Sequence, residues 1–392
     1  MKVAIVLNTS WNIYNFRMNF VKALLQQGHE VHTIAPADDY THHLVNIGCV
    51  HHNVTMDSRG ANVIKDMALI AELGAIYYRV KPDIILHFTI KPNVYGTLAA
   101  AALGIPSINN VCGLGTVFLK KGLVSMVAKL LYKISFRFPK KVFFQNPEDM
   151  QLFIEEKLVS PERAEILPGS GIDSAAFTPA PFKRNKIFTF LLVSRLILEK
   201  GIVEYVEAIK LLKAEGVNAR FQLLGAKDPE HKRGIPLNVV DSWIEEGLVE
   251  YLGKTDHVQH YINQADCVVL PSYREGSPRS LMEAACLSKP IITTNVPGCR
   301  QVVKDGLNGL LCESQNAEDL AIKMLAMTET EDAMLQTMGA RGRKKMELEF
   351  SDTIVLKKYI AAMNEIHPLE MAVVATTHQL KEVILPSFLK AS

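Results

Sequence analysis

Two glutamates with seven residues between them, Glu275 and Glu283, lie in the stretch ADCVVLPSYREGSPRSLMEAACLSKP at residues 265–290. Ionised carboxylates accept hydrogen bonds only, so a pair of them suits a ligand rich in hydroxyls or a neighbouring cation. Two cations, Arg195 and Lys200, stand five positions apart in SRLILEKG. Fixed positive groups of this kind hold phosphate oxygens well. The elements around the glutamates fit that chemistry. Cys267–Leu270 is a short apolar run, predicted to be a buried parallel strand. Pro271–Gly276 is a polar turn, Ser277 is the expected N-cap and Pro278 the first helical residue, where a missing N–H costs nothing. The helix continues through Leu281, Met282 and Ala284–Leu287 and stops before Pro290. Such a unit turns free backbone N–H groups, here those of Gly276 and Ser277, and a positive dipole end toward the loop, an arrangement suited to a phosphate. Taken alone, the same residues also describe a capped surface helix with solvated charges.

Length and composition narrow the classes. At 392 residues the chain is too long for one ordinary core and suits two domains. Apolar residues make up 48% and charged residues 21%, and the net charge is +2. Bulk charge therefore gives no case for nucleic acid. No apolar run reaches the roughly 18 residues that span a bilayer. Ala4–Leu7 is too short for the core of a signal peptide and reads as a first strand. The six cysteines are scattered without a C-x-x-C pair, which predicts reduced thiols, no structural zinc and a cytoplasmic protein. The chain has no D-x-D triplet to hold Mg²⁺ on a diphosphate, so no metal and no other cofactor is expected.

The chain in order alternates strands and helices in two series. Lys2–Leu7, an expected loop at 8–14, a helix over Asn15–Gln27 and a strand at Val31–Ala35 form a βαβ opening without G-x-G-x-x-G, which argues against a dinucleotide here. Further strands are expected at Asp83–His87, Val142–Asn146 and Ala164–Leu167, and a proline-bearing linker follows at 177–185. The alternation restarts at Phe188. The expected fold class is α/β, in two domains of alternating strands and helices. Residues 1–182 form the first domain, 183–350 the second, 351–366 a further helix and 367–392 a tail without assigned structure.

The segment from Glu275 to Glu283 resembles the E-x7-E motif of retaining nucleotide-sugar glycosyltransferases of the GT-B fold, family 4. SWNIYNFRMNF, HFTIKPNVYG, GIPSINNVCGLG, GSGID and PSYREGSP resemble the branch whose bacterial members add sugars to undecaprenyl-diphosphate-linked saccharides, and the likeness covers most of residues 1–366. It implies that Glu275 contacts the transferred sugar and Glu283 the ribose. It assigns the diphosphate to the N–H groups of Gly276 and Ser277 together with Arg195 and Lys200, and places the segment around Asp256 against the nucleobase. On the acceptor side it points to Arg17, His87, Lys91, Cys112, Gly113 and Gly115. Arg17 reads equally well as a solvating charge and His87 as a structural histidine. Cys112 stands where many family members carry a histidine, which the lipid-linked branch also tends to lack. The resemblance also implies the GT-B architecture, two Rossmann-like domains facing across a cleft, with the last helix, at 351–366, returning to the first domain.

The resemblance thus implies metal-independent transfer, with retention, of GalNAc, GlcNAc or a related sugar from a UDP-sugar to a polyprenyl-diphosphate-linked saccharide. Two alternatives use the same residues: a nucleotide-sugar epimerase of this fold, and a non-catalytic lipid-sugar binding protein. Residues 119–141 are basic and amphipathic. Apolar residues at 123, 126, 127, 130, 131, 134 and 138 share one helical face, and Lys129, Lys133 and Arg137 share a second stripe. An ordinary domain helix would bury the apolar face. A lipid-bound acceptor favours contact with an anionic membrane surface, peripheral and on the inner face of the cell membrane.

Overall fold

A computed structural model describes residues 1–57, 62–114, 122–228 and 231–368. In the first half, strands β1 (Lys2–Val6), β2 (Glu30–Ala35), β3 (Val50–Asn53), β4 (Ile84–Phe88), β5 (Ser107–Val111), β6 (Lys141–Phe144) and β7 (Ala164–Ile166) form one parallel sheet in the order 3-2-1-4-5-6-7. Helices α1 (Ser10–Gln26), α2 (Thr41–Asn46), α3 (Val63–Val80), α4 (Thr97–Ala102), α5 (Leu123–Ser135) and α6 (Pro147–Glu155) connect them. The second half opens with β8 (Phe188–Val193), 22 residues beyond Ile166. With β9 (Ala219–Leu224), β10 (Glu250–Tyr251), β11 (Cys267–Leu270), β12 (Ile291–Thr294) and β13 (Gly309–Cys312) it forms a second parallel sheet, ordered 10-9-8-11-12-13. Its helices are α7 (Ile202–Ala214), α8 (Leu237–Glu245), α9 (Val258–Gln264), α10 (Arg279–Cys286), α11 (Cys299–Val302), α12 (Ala317–Glu329) and α13 (Asp332–Glu349).

Both sheets are buried on their two faces, which is why their strands read as near-continuous apolar runs such as KVAIV and FTFLLV. Each half has its own core. The last helix, α14 (Asp352–Ile366), joins the core of the first domain, where Val355, Tyr359, Ala362 and Met363 pack with Phe20, Leu24 and Phe88. Tyr359 also accepts a 2.7 Å hydrogen bond from Asn110 at the end of β5. The strands' carboxyl ends therefore carry the loops that meet between the two domains, where open α/β sheets bind ligands.

Two expectations change, and one left open is decided by the packing. Residues 8–14 are not a loop: Thr9 accepts from the Asn12 N–H and starts α1 at Ser10, so Arg17 sits two turns into the helix. Ser277 is not an N-cap. Pro278 takes that position with extended backbone, α10 starts at Arg279, and the Ser277 hydroxyl points to Met282 Sδ at 3.2 Å. The amphipathic segment forms α5, but most of its apolar face turns outward. Met126 is 67% exposed, and Val127, Leu130, Ile134 and Phe138 are also exposed, while Ser125, Tyr132, Ser135 and Phe136 face the core. Tyr132 and Phe136 meet edge to face at 4.9 Å and both contact Phe153, and this aromatic group fixes the roll of the helix. Gly115, residues 119–121 and most of the tail (369–392) lie outside the described residues.

Candidate active site

The Glu275 loop is held from below and from the side. Its carboxylate is ion-paired to Lys200 and accepts a 2.8 Å hydrogen bond from Ser272. Lys200 ends the turn after β8, and Gly201 follows at φ +73° with its α-hydrogen side against the Pro271 carbonyl, a packing that leaves no room for a Cβ. The two segments that sequence reasoning assigned to one diphosphate are thus in direct contact. Among the described residues, the backbone N–H groups of Gly276 and Ser277 donate to no protein acceptor. Two free N–H donors, a helix amino end and a lysine share this loop, which is the chemistry that accommodates an anion.

Arg195 lies in the same β8 turn, 59% exposed, with its guanidinium 4.0 Å from Asp228. It is free to swing toward a ligand. Glu283 lies one turn into α10 and pairs with Arg279 at 3.0 Å. Burial raises its pKa above the ordinary carboxylate range, and the Arg279 charge opposes that. Arg279 in turn donates to the Gly171 carbonyl at 2.7 Å, and its guanidinium lies near the rings of Phe16 and Phe177. Asp256 accepts a 2.9 Å hydrogen bond from Tyr40, a residue of the first domain.

From the first domain, Cys112 and Gly113 at the end of β5 press against the Glu275 loop. Gly113 has φ +119°, and a Cβ on it would lie 3.2 Å from the Gly276 nitrogen. Arg17, buried beneath them, donates to Asn12 at 2.5 Å and toward Cys112 Sγ at 3.6 Å, and its guanidinium covers the Phe88 ring at 4.2 Å. Arg17, Cys112, Gly113, Gly276, Glu275 and Lys200 therefore form one continuous line across the cleft.

His87 and Lys91 are not in that line. His87 is fully buried, between the Tyr77 hydroxyl at 3.0 Å and Asn109 at 3.1 Å, and burial lowers its pKa to about 3. A neutral imidazole locked in the core of a central strand cannot reach an acceptor, which corrects the expectation for it. Lys91 is half-enclosed and paired to Asp66 at 2.7 Å. Tyr95 donates to the same carboxylate at 2.9 Å.

Sequence reasoning missed the clasp between the domains. Asn146 donates to the Gly276 carbonyl at 3.2 Å, Gln301 donates to Glu148 at 2.8 Å, and Arg274 forms an ion pair with the fully buried Asp149. Burial raises the Asp149 pKa, and Arg274 opposes the shift. Asn146-Pro147 announces a helix start. Nothing local announces that the first turn of that helix grips the neighbouring domain.

Two facing Rossmann-like domains with a phosphate-suited loop between them define a class, and the comparisons agree. The family model described as glycosyl transferases group 1 matches residues 175–345, and that described as glycosyl transferase 4-like matches residues 2–146. The chain belongs to the GT-B glycosyltransferases of family 4, and it is an enzyme of that class. It is 27% identical over 377 residues to the N,N'-diacetylbacillosaminyl-diphospho-undecaprenol alpha-1,3-N-acetylgalactosaminyltransferase of Campylobacter jejuni, covering 92% of this chain and 97% of that one. It is 26% identical to the UDP-Gal:alpha-D-GlcNAc-diphosphoundecaprenol alpha-1,3-galactosyltransferase of Escherichia coli, over 74% and 76% of the two chains. Among solved structures, a Rickettsia africae glycosyltransferase superposes with a TM-score of 0.76 at 18% identity, covering 93% of this chain and 98% of that one. Anabaena Alr3699/HepE in complex with UDP-glucose superposes with a TM-score of 0.75 at 16% identity, covering 93% and 100%.

Proposed function

We propose that this glycosyltransferase moves an N-acetylhexosamine or related sugar from a UDP-sugar to a polyprenyl-diphosphate-linked saccharide, with retention of configuration and without a metal ion. The observation that carries the reading is the contact of Lys200 with Glu275 beside the free N–H groups of Gly276 and Ser277, closed over by Cys112 and Gly113. When the anomeric bond breaks, negative charge grows on the leaving diphosphate. Lys200, Arg195 and the two N–H groups stabilise that charge where it develops, worth several kcal/mol in a water-poor cleft. Glu275, relieved of part of its pairing as Lys200 turns to phosphate, accepts from the sugar hydroxyls and orients the ring. Glu283 accepts from the ribose. The acceptor hydroxyl approaches from the Cys112–Gly113 side and attacks the same face that the diphosphate leaves, with a phosphate oxygen taking its proton.

The names of the relatives support the lipid-linked acceptor: both describe transfer to sugars on diphospho-undecaprenol. Metal independence rests on the absence of D-x-D in the sequence and on Arg195 and Lys200 as the counter-charges. Contact with an anionic membrane is supported by α5, whose outward stripe carries Met126, Val127, Leu130 and Ile134 together with Lys133 and no carboxylate, and by the exposed Arg137 just beyond its end. Among the described residues no helix is long and apolar enough to cross a membrane, so the contact would be interfacial. A cytoplasmic position on the inner face of the cell membrane belongs to the same proposal.

The test is a screen of nucleotide sugars against polyprenyl-diphosphate saccharides, with the new linkage read by NMR. A product that keeps the donor's anomeric configuration, formed from a UDP-sugar, supports the proposal. Conversion of the nucleotide sugar without any acceptor would mark an epimerase, and binding without turnover a lipid-sugar binding protein.

A further inference from the structure

The first turns of α3 expose a second apolar patch that the membrane reading above does not use. Val63, Ile64 and Met67 are exposed at 77%, 81% and 65%. Three large apolar side chains at one helix start are out of place in water, since fully burying each is worth roughly 1.5–3 kcal/mol. Asp66, in the middle of this patch, does not reach solvent. It turns inward to Lys91 and Tyr95, at 2.7 and 2.9 Å. Lys65, the remaining charge, is matched by Asp57 at 3.6 Å.

Topology puts this patch at the same edge of the sheet as the exposed start of α5. In a parallel sheet each connecting helix runs back against its strand, so its amino end lies at the carboxyl edge of the sheet. α3 follows β3 and α5 follows β5, so both helices begin at the edge that carries Cys112 and Gly113. They also share one layer: α3 and α5 each pack on the 92–96 turn that follows β4. α5 carries Met126, Val127 and Leu130 in its first turns, Lys133 continues the same outward stripe, and Arg137 is exposed just beyond the helix end. One edge of the first domain thus presents two apolar helix starts; among the described residues Lys133 and Arg137 make no ion pair, while Lys129 of α5 is matched by Glu156 at 2.6 Å.

We infer that α3 and α5 together form a two-point seat on an anionic bilayer, which sets the acceptor side of the cleft against the lipid surface. The inference rests on the membrane contact proposed for α5 and adds its partner element and the orientation. A single helix could roll on the surface. Two separated helix starts define a plane, so a diphosphate anchored at the bilayer surface meets the Cys112–Gly113 edge of the cleft. The occupant is lipid rather than a second copy of the chain, because Lys133 and Arg137, without an ion-pair partner among the described residues, leave an excess of positive charge on this edge that would repel its own image.

The test uses the full chain with Ile64→Trp or Val127→Trp and vesicles of phosphatidylglycerol whose acyl chains carry bromine, a short-range quencher of indole fluorescence. Both introduced indoles are expected to be quenched, and quenching at both supports the seat. Quenching at 127 alone would overturn the inference and leave the α5 contact standing. Quenching at neither would overturn both. A second arm uses Ile64→Glu with Met67→Glu, both exposed positions, with folding checked by circular dichroism. Sedimentation with the same vesicles should fall about tenfold, while turnover of a short water-soluble acceptor stays at the wild-type value. Unchanged sedimentation, or a concentration-dependent dimer of the wild type that the double variant abolishes, would refute the lipid seat.

Discussion

Gly276→Ala probes the closure of the cleft with the smallest possible change. The glycine's backbone lies outside the left-handed region, so alanine adopts it without conformational strain. Its added Cβ would nevertheless fall on the first domain, 2.7 Å from the Cys112 carbonyl carbon and 2.8 Å from Gln145 Oε1. Ordinary contact begins near 3.4 Å. The glutamine side chain can turn away, but the Cys112 carbonyl is backbone at the end of a central strand. The Glu275 loop must then withdraw by about 0.7 Å or more from the Cys112–Gly113 edge, and a displacement of that size costs on the order of a hundredfold in rate. The donor-side groups Arg195, Lys200, Glu275 and Glu283 lie in the second domain, and the substituted residue keeps its N–H, so UDP affinity should fall far less than kcat. Isothermal titration with UDP and initial-rate kinetics separate the two quantities. The reasoning fails if kcat is unaffected, or if kcat and UDP affinity fall together. Gly113 would be a poorer probe, because φ +119° strains any replacement whatever the space.

Three further outcomes are expected. Glu283→Ala should weaken UDP binding, whereas Glu275→Ala should mainly lower kcat, each by on the order of 1.5–3 kcal/mol for one lost charged hydrogen bond; wild-type values for both variants would remove the donor site from this loop. Activity should persist in EDTA, and a loss that Mg²⁺ or Mn²⁺ restores would refute metal independence. Arg274→Ala strands the buried Asp149 carboxylate and should destabilise the protein by about 3 kcal/mol. Adding Asp149→Asn should recover most of that loss in denaturant melts, and an additive double variant would mean that the pair is not coupled.

The parts of the site that were legible in the sequence are those whose signal is local. The apolar run before Pro271, the polar turn and the following helix put Glu275 and the N–H groups of Gly276 and Ser277 in the loop between β11 and α10, as the structure has them, because strand–turn–helix geometry needs no distant partner. The same logic placed Lys200 beside that loop only because β8 and β11 are neighbours in the sheet, which the alternation of strands and helices suggests but does not fix. What failed depended on direction. His87 has the right position on its strand, but its side chain points into the α3–α4 layer. Helical periodicity gave α5 an apolar stripe and could not say which way it faces. That choice is made by Tyr132 and Phe136, whose contact with Phe153 across the layer turns the stripe outward. The Arg274–Asp149 clasp joins residues 125 positions apart and has no local signal at all.

The central claim is that a sugar leaves UDP for a lipid-linked saccharide. Acceptor-dependent UDP release tests it most directly, measured with the purified chain, a UDP-N-acetylhexosamine and a polyprenyl-diphosphate saccharide, with the lipid product followed by mass spectrometry. The proposed transfer predicts one UDP released for each sugar gained by the lipid-linked product, and negligible release without the acceptor. UDP release at the same rate without acceptor, or an unchanged lipid-linked saccharide after prolonged incubation across the UDP-sugars, would contradict it.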